Sequence, residues 1–273
     1  MATHGSAFPI AKLALNNSVP PILMASLRMG LVMLLLIPFW KFKIPDKKYL
    51  KSLFLFSFSM GVLVYVFMNL SLKYSTFISP IIIGSQLAVP FAVVLSAIMI
   101  GENISKKKWV FIFLAFFGIT VVFFDPELKN NLIGLLFASL MALFFAIAQV
   151  YSRKLKELSL TLINAYTGLF GFFILIIVSF FIEGEVVANI KNINLESWML
   201  IGYQAIIVSL FAHMSMFYLY KFYTVGQIFP FYSLFPIFGI ILTFLIFGEI
   251  PSLLFFIGSF FVISSVILLQ KTK

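Results

Sequence analysis

The sequence contains no cysteine and only two histidines among its 273 residues. Without cysteine the chain cannot form disulfide bonds, a catalytic thiolate or a Cys-ligated metal site, and two histidines argue against a His-rich site. Charged residues are also scarce, at 10% of the chain against about 25% in an ordinary soluble domain. We therefore predict no cofactor and no bound metal ion.

Apolar residues dominate what remains, at 62% of the chain with a mean hydropathy of +1.13. A soluble domain of this composition would leave large apolar areas in water, so that class is excluded. One membrane-spanning helix takes about 20 residues plus a short connection, which leaves room for about ten spans and no soluble domain. The net charge of +10 falls in short loops, a pattern typical of cytoplasmic loop bias rather than nucleic-acid binding.

Ten apolar segments, each bounded by charged residues, proline or asparagine, are predicted to cross the membrane at residues 3–16, 20–39, 52–72, 75–100, 107–124, 132–152, 160–182, 197–220, 226–248 and 252–270. The first covers only about 21 Å as a helix, which is short of a hydrocarbon core of about 30 Å. We expect the natural start of the protein to lie upstream.

The distribution of basic residues predicts the orientation in the membrane. With the N-terminus inside, fourteen basic residues fall in inside loops, namely Lys41, Lys43, Lys47, Lys48, Lys51, Lys106, Lys107, Lys108, Arg153, Lys154, Lys156, Lys221, Lys271 and Lys273. Three fall outside, namely Lys73, Lys129 and Lys191. Both termini are therefore predicted to be cytoplasmic, in the inner (plasma) membrane.

The chain repeats itself. Each half contains an aromatic or leucine residue, a lysine and an aromatic residue before two prolines and a closing Gly-Glu pair: Leu72-Lys73-Tyr74, Pro80, Pro90 and Gly101-Glu102, then Tyr220-Lys221-Phe222, Pro230, Pro236 and Gly248-Glu249. Because five helices per half is an odd number, the halves would cross the membrane in opposite directions. We predict an all-α integral membrane protein with ten transmembrane helices, as two inverted five-helix repeats at residues 1–127 and 128–273. Such repeats are typical of transporters, with the substrate site at their interface.

Three motifs carry a family resemblance, namely Gly5-Ser6-Ala7-Phe8 followed by Ile10-Ala11-Lys12, Pro21 followed by Ala25-Ser26-Leu27-Arg28, and the doubled proline to Gly-Glu segment. In these three motifs and in their order along the chain, the sequence resembles EamA-type carriers of the drug/metabolite transporter superfamily. It departs from them at His4, where the signature has tryptophan. The resemblance implies ten helices around a central cavity and export or uptake of small metabolites, often amino acids. The stretch 16–28 and the surroundings of Gln86 resemble amino-acid exporters of the cysteine/O-acetylserine type.

Two cations lie inside predicted spans. Arg28 sits roughly 12 Å from the outer end of the second segment, where a charge costs at least about 2.5–3.5 kcal/mol unless it faces protein or water. It either faces the cavity and attracts a substrate carboxylate, or ties helix ends together through backbone carbonyls. Lys12 either extends to the outer interface or is a second cavity cation, with its repeat counterpart Gln149 as a neutral hydrogen-bonding partner.

Uncharged polar side chains leave the same two alternatives, substrate binding or hydrogen bonds between helices. His213 matches Tyr65 in the repeat and could titrate during transport. Prolines bend the helix around Gly84-Ser85-Gln86, and paired broken helices indicate a transporter's binding site. The predicted substrate-binding residues are Lys12, Arg28, Tyr65, Asn69, Gln86, Gln149, His213 and Tyr232.

All nine acidic residues can be placed in loops or at helix ends. Glu102 and Glu249 are explained by capping and by pairing with the dipole of the helix that follows each of them. With Lys12 and Arg28 as the charges inside the membrane, a cavity would repel cations and favour substrates that carry a carboxylate or another anion.

The leading hypothesis is a secondary transporter, an exporter or facilitator, of amino acids or related carboxylate-bearing metabolites, working by alternating access as a monomer or homodimer. No Gly-rich loop followed by Lys-Ser/Thr indicates nucleotide hydrolysis. The alternative is an integral-membrane enzyme that acts on a lipid-linked substrate, which would need clustered acid and base groups near one interface. A structural subunit has no reason to carry buried cations and twin proline-broken helices. We therefore predict no enzymatic activity.

Overall fold

The computed structural model describes residues 2–40, 43–212, 215 and 234–272, and these contain helices and turns but no strand. The α-helices are α1 (Ala2–Gly5), α2 (Ala7–Asn16), α3 (Pro21–Trp40), α4 (Lys47–Ser57), α5 (Val64–Lys73), α6 (Ser79–Gly84), α7 (Ala88–Ile100), α8 (Lys106–Phe123), α9 (Leu132–Ser152), α10 (Leu160–Ile182), α11 (Val186–Asn192), α12 (Leu195–Tyr203), α13 (Phe235–Phe247) and α14 (Leu253–Lys271). Stretches of π-helix at Phe58–Leu63 and Gln204–Ala212 extend α4 and α12.

Within the described residues, seven helical segments are long and apolar enough to cross a membrane, namely Pro21–Trp40, Lys47–Lys73, Ser79–Met99, Pro126–Leu155, Leu160–Ile182, Leu195–Ala212 and Leu253–Lys271. The first predicted span is instead divided into α1 and α2, and α8 begins with three lysines that shorten its apolar part. Only α13 of the ninth predicted span is described. The count of ten spans therefore stays a prediction.

The two Gly-Glu turns have matching local structures. Gly101 and Gly248 end α7 and α13 with φ of 78° and 68°, a left-handed conformation that favours glycine. Four residues later, the hydroxyls of Ser105 and Ser252 each accept a hydrogen bond from the amide three residues further on, at 3.4 and 3.0 Å. These are ordinary N-caps for α8 and α14. Both members of the doubled motif thus end one helix and start the next in the same way.

The two π-helical stretches also occupy matching positions. The sequence equates Tyr65 with His213, an offset of 148 residues. The same offset carries Phe58–Leu63 onto 206–211, which lies inside the second stretch, Gln204–Ala212. A π-helical stretch is rare and often occurs at functional sites.

Helices pack between the two halves of the chain. α3 packs along α10, and α8 packs along α14. α9 packs against α5, α6 and α7, whereas α2 packs against α12 and α13. Near the start of each half, α2 and α9 therefore each lie against later helices of the other half.

Small residues permit the closest of these contacts. A Cβ atom on Gly118 of α8 would lie 2.7 Å from the carbonyl oxygen of Gly258 on α14. A Cβ atom on Gly168 of α10 would lie 2.9 Å from the amide of Met33 on α3. In lipid, where apolar surface gives helices little reason to associate, close backbone approach of this kind drives helix packing.

The turns between helices gather at two ends of the helix bundle. We call one the Glu249 end; it holds the turns at 17–20, 74–78, 124–131, 183–194 and 248–252. We call the other the Arg153 end; its described turns are 43–46, 101–105 and 153–159. At the Arg153 end the contacts are exposed: Arg153 pairs with Glu102, and the Lys48 ammonium lies 3.4 Å from Glu157. The Tyr49 hydroxyl also donates to Glu157, and together with Lys48 it lowers the pKa of that carboxyl.

Candidate functional site

A cavity of about 120 Å³ lies where the two halves meet. Its described polar lining consists of His4, Arg28, Tyr65, Ser85, Gln86, Gln149 and Gln270. The remaining described lining is apolar, formed mainly by methionine, alanine, valine and phenylalanine side chains. Since one water molecule needs roughly 10–15 Å³, the cavity has room for several. A few polar groups in a mostly apolar concave surface is the usual make-up of a small-molecule site.

Arg28 lies deep in this cavity, with 4% of its surface exposed. It is seven residues from the start of α3, or about 10 Å along the helix. Its Cζ atom lies 4.4 Å from the centroid of the Tyr65 ring, and its Nε donates to the Ser209 hydroxyl at 3.0 Å. The π-helical stretch of α12 therefore supplies a hydrogen-bond acceptor from the other half of the chain, and the ring stabilises the cation through its negative face.

The two terminal amino groups of Arg28 make no hydrogen bond with the described part of the chain. No described acidic side chain forms an ion pair with it. A guanidinium carries five N–H donors, and buried donors ordinarily find partners. Arg28 therefore presents unused, charged donors to the cavity, where an anion could accept them.

Gln86 lies in the short 3-10 turn Ser85–Leu87 that separates α6 from α7. Pro90 has no amide hydrogen, so it cannot bond to the Gln86 carbonyl four residues earlier, and the helix changes geometry there. The Gln86 side-chain amide donates to the Ser85 hydroxyl at 3.3 Å, which in turn donates to the Ile82 carbonyl at 2.6 Å. The proline thus opens the helix at the point where two polar side chains line the cavity.

Gln149 lines the cavity from α9 and is half-buried. Its side chain makes no hydrogen bond with the described residues. It lies four residues before Arg153, and Gln270 of the lining lies one residue before the last residue of α14. The cavity therefore extends from Arg28 towards the Arg153 end of the bundle.

Two predicted site residues lie elsewhere. The Lys12 ammonium donates to the carbonyls of Leu72, in the last turn of α5, and of Ser75, just beyond its end, both at 2.7 Å, where its charge complements the helix dipole. The Asn69 side chain donates to the Pro21 carbonyl at 2.8 Å and is buried. Neither residue belongs to the cavity lining.

Of the eight predicted residues, the structure brings together Arg28, Tyr65, Gln86 and Gln149. His213 and Tyr232 lie outside the described residues. Sequence reasoning missed three side chains near Arg28 or in the lining: His4, Ser209 and Gln270.

Each missed residue except His4 had a usable signal. Ser209 lies one helical turn before His213, on the same face of a predicted span, and Gln270 is the one amide in the predicted span 252–270. His4 stood out only as a departure from the family signature.

Two carboxylates hold the halves together at the Glu249 end. Glu249 is 7% exposed and accepts hydrogen bonds from the amides of Ile78 and Ser79, at 2.6 and 3.1 Å, and from the Ser79 hydroxyl at 2.9 Å. Glu183 accepts from the amides of Ile22 and Leu23, at 2.7 and 2.8 Å. These are the first amides of α6 and α3, where a negative charge is favoured.

The expected partner of Glu249 is therefore wrong. It caps α6 of the first half rather than pairing with α14, the helix that follows it. Glu102 likewise pairs with Arg153 across the bundle. All nine acidic residues are among those that the structure describes, and none lines the cavity. Arg28 therefore faces a cavity that has no negative side chain.

Comparison with known proteins adds a family and a fold. A family model described as the EamA-like transporter family matches residues 1–124 and 132–270. A solved structure titled "Crystal structure of protein" superposes with a TM-score of 0.57 at 14% identity, over 99% of this chain and 98% of that one. At this identity the likeness concerns the fold alone. A search of curated proteins finds no match.

Proposed function

Because the chain belongs to the EamA-like transporter family, we propose that it is a secondary transporter of amino acids or related carboxylate-bearing metabolites, with its substrate site at Arg28. It is a multi-pass membrane protein, and its family is one of transporters rather than enzymes. The observation that carries the substrate proposal is the buried Arg28, whose terminal amino groups are unbonded within the described chain in a cavity without an acidic lining residue.

The chemistry of Arg28 suits a carboxylate. A guanidinium binds a carboxylate through two parallel N–H···O bonds, which fix orientation as well as adding affinity. Hydrogen bonds to charged groups contribute about 1.5–3 kcal/mol each. A buried charged group that loses its hydrogen-bonding partner costs more, because its desolvation is no longer offset. A substrate anion would neutralise the charge of Arg28, whereas a cation would be repelled by it.

The packing supports alternating access between two inverted five-helix repeats, at 1–127 and 128–273. Helices of each half pack against helices of the other half. Both halves also contain a Gly-Glu turn and a π-helical stretch. The cavity takes Arg28 and Gln86 from the first half and Gln149 from the second. A site at a repeat interface changes its accessibility when one half rocks against the other. Since one chain supplies both halves, a monomer would suffice, and a homodimer would contain two sites.

We propose that the Arg153 end is cytoplasmic, that both termini lie there, and that the protein resides in the inner (plasma) membrane. The excess of basic loop residues at this end supports the orientation. The cavity extends towards the Arg153 end, while the Glu183 and Glu249 caps close the opposite end. The structure would thus correspond to the state that is closed to the outside.

The test is solute counterflow into liposomes that contain the purified protein, with a panel of radiolabelled amino acids and organic acids. We expect uptake of at least one carboxylate, and an affinity about 10- to 100-fold weaker in Arg28→Gln, because the charge-assisted bonds are lost. Arg153→Gln removes an equally positive but exposed side chain and should leave uptake unchanged. Transport of lipophilic cations, with no amino or organic acid moved, would contradict the proposal.

A further inference from the structure

Resting on the function proposed above, we infer that the cavity selects singly charged carboxylates, such as hydroxy, keto or unsubstituted acids, over the zwitterionic amino acids of the same carbon skeleton. The selection follows from what the cavity offers to the atoms next to the bound carboxylate. It narrows the substrate class at Arg28 without depending on which carbon skeleton the protein carries.

The charges around the cavity favour the carboxylate of a ligand and disfavour an ammonium on the same ligand. Arg28 supplies a full positive charge, and none of the nine acidic residues lines the cavity. The residues that the structure does not describe contain no aspartate or glutamate either. The ammonium of an amino acid would therefore lie close to the Arg28 guanidinium, with no carboxylate other than its own to offset the repulsion.

The aromatic ring in contact with Arg28 is already occupied on one face. An ammonium without an acidic partner can bind the face of an aromatic ring, but the Cζ of Arg28 itself lies 4.4 Å from the centroid of the Tyr65 ring. The other described rings of the lining, Phe8, Phe145 and Phe235, carry no hydrogen-bond acceptor. The same helical run as Tyr65 lines the cavity with Met60, Val64 and Met68, one turn apart. These side chains offer no strong hydrogen-bond acceptor for an ammonium.

The other described polar side chains of the lining do not favour a positive charge over a neutral group. Gln86, Gln149 and Gln270 are amides, Ser85 has a hydroxyl and His4 has an imidazole. An amide, a hydroxyl and a neutral imidazole each have both a donor and an acceptor. A hydroxyl or keto oxygen can use them as well as an ammonium can, and it loses much less hydration on entering the cavity. A hydroxy acid therefore keeps its bond to Arg28 and avoids the cost of burying a second charge.

The experiment compares matched ligands on the full-length protein by isothermal titration at pH 7. Each set contains a 2-hydroxy acid, the amino acid of the same skeleton and the corresponding amine without a carboxylate, for skeletons matching alanine, valine, leucine and phenylalanine. We expect the best hydroxy acid to bind at least about tenfold tighter than its amino acid, and the amines not to bind. In Arg28→Gln the hydroxy acid should lose its advantage together with its affinity.

The outcomes separate this inference from the proposed function. If amino acids bind as tightly as their hydroxy acids or more tightly, the selectivity inferred here is wrong while the carboxylate site stands. If no carboxylate of the panel binds to the folded protein, both are wrong. A second variant, Met68→Glu, places a carboxylate in the lining. Provided that its thermal unfolding stays cooperative, it should shift the preference towards the amino acid, and no shift would also contradict the inference.

Discussion

The Glu249 cap offers the sharpest test of the proposed alternating access. Both of its carboxylate oxygens accept hydrogen bonds from the first amides of α6, at 2.6 and 3.1 Å. In Glu249→Gln the charge is lost, and one amide of α6 faces an NH₂ group that cannot accept a hydrogen bond. A hydrogen bond to a charged group contributes about 1.5–3 kcal/mol. Because 1.4 kcal/mol is a factor of ten, the state closed at the Glu249 end should lose roughly 10- to 100-fold in relative population.

The assay uses the absence of cysteine from the chain. Ser85→Cys places a single thiol in the cavity lining, with little change in volume. A membrane-impermeant maleimide added from the Glu249 side labels it only when that end opens. We expect the labelling rate from this side to rise about 10- to 100-fold in the Glu249→Gln background, and labelling from the Arg153 side to fall as the opened fraction grows.

Glu102→Gln is the matched control. Glu102 follows the left-handed Gly101 as Glu249 follows the left-handed Gly248, but its partner Arg153 is exposed, and such pairs contribute about 0–1 kcal/mol. Labelling from the Glu249 side should therefore change less than about fivefold. An unchanged rate in Glu249→Gln, in protein that still unfolds cooperatively, would refute the view that this carboxylate holds the end closed.

Two further predictions concern packing and the role of Lys12. Gly118→Ala should lower the free energy of unfolding in detergent by about 1–3 kcal/mol, because its Cβ would lie 2.7 Å from the Gly258 carbonyl oxygen. The control Gly202→Ala, whose Cβ would have no atom within 4 Å, should be neutral or stabilising by up to about 1 kcal/mol. Equal melting temperatures for the two variants would show that α8 and α14 are not so closely packed. Lys12→Met should lower the melting temperature, because the Leu72 and Ser75 carbonyls lose their donor, yet leave carboxylate affinity unchanged. A tenfold loss of affinity at an unchanged melting temperature would instead place Lys12 in the substrate site.

The composition and order of the chain were sufficient to predict the class of protein. Apolar runs of about 20 residues can be stable only in lipid or in a core that 273 residues cannot enclose, so the membrane fold follows from sequence alone. The doubled proline to Gly-Glu pattern marked two corresponding segments in the sequence, and in the structure Gly101 and Gly248 have the same left-handed conformation. The depth of Arg28 along its helix also follows from the helical rise. At that depth the free energy of burying a charge in lipid requires that Arg28 face a cavity or a protein partner.

The sequence could not predict partners across the bundle, because a local pattern states what a side chain needs and not which helix will supply it. The Lys12 ammonium donates to two carbonyls at and just beyond the end of α5 and does not line the cavity. Glu249 accepts from amides at the start of α6, about 170 residues earlier, rather than from those of the helix that follows it. Arg28 contacts Tyr65 and Ser209, and Ser209 belongs to a π-helical stretch in the other half. Those choices depend on which helices lie side by side, and only the packing of the two halves decides that.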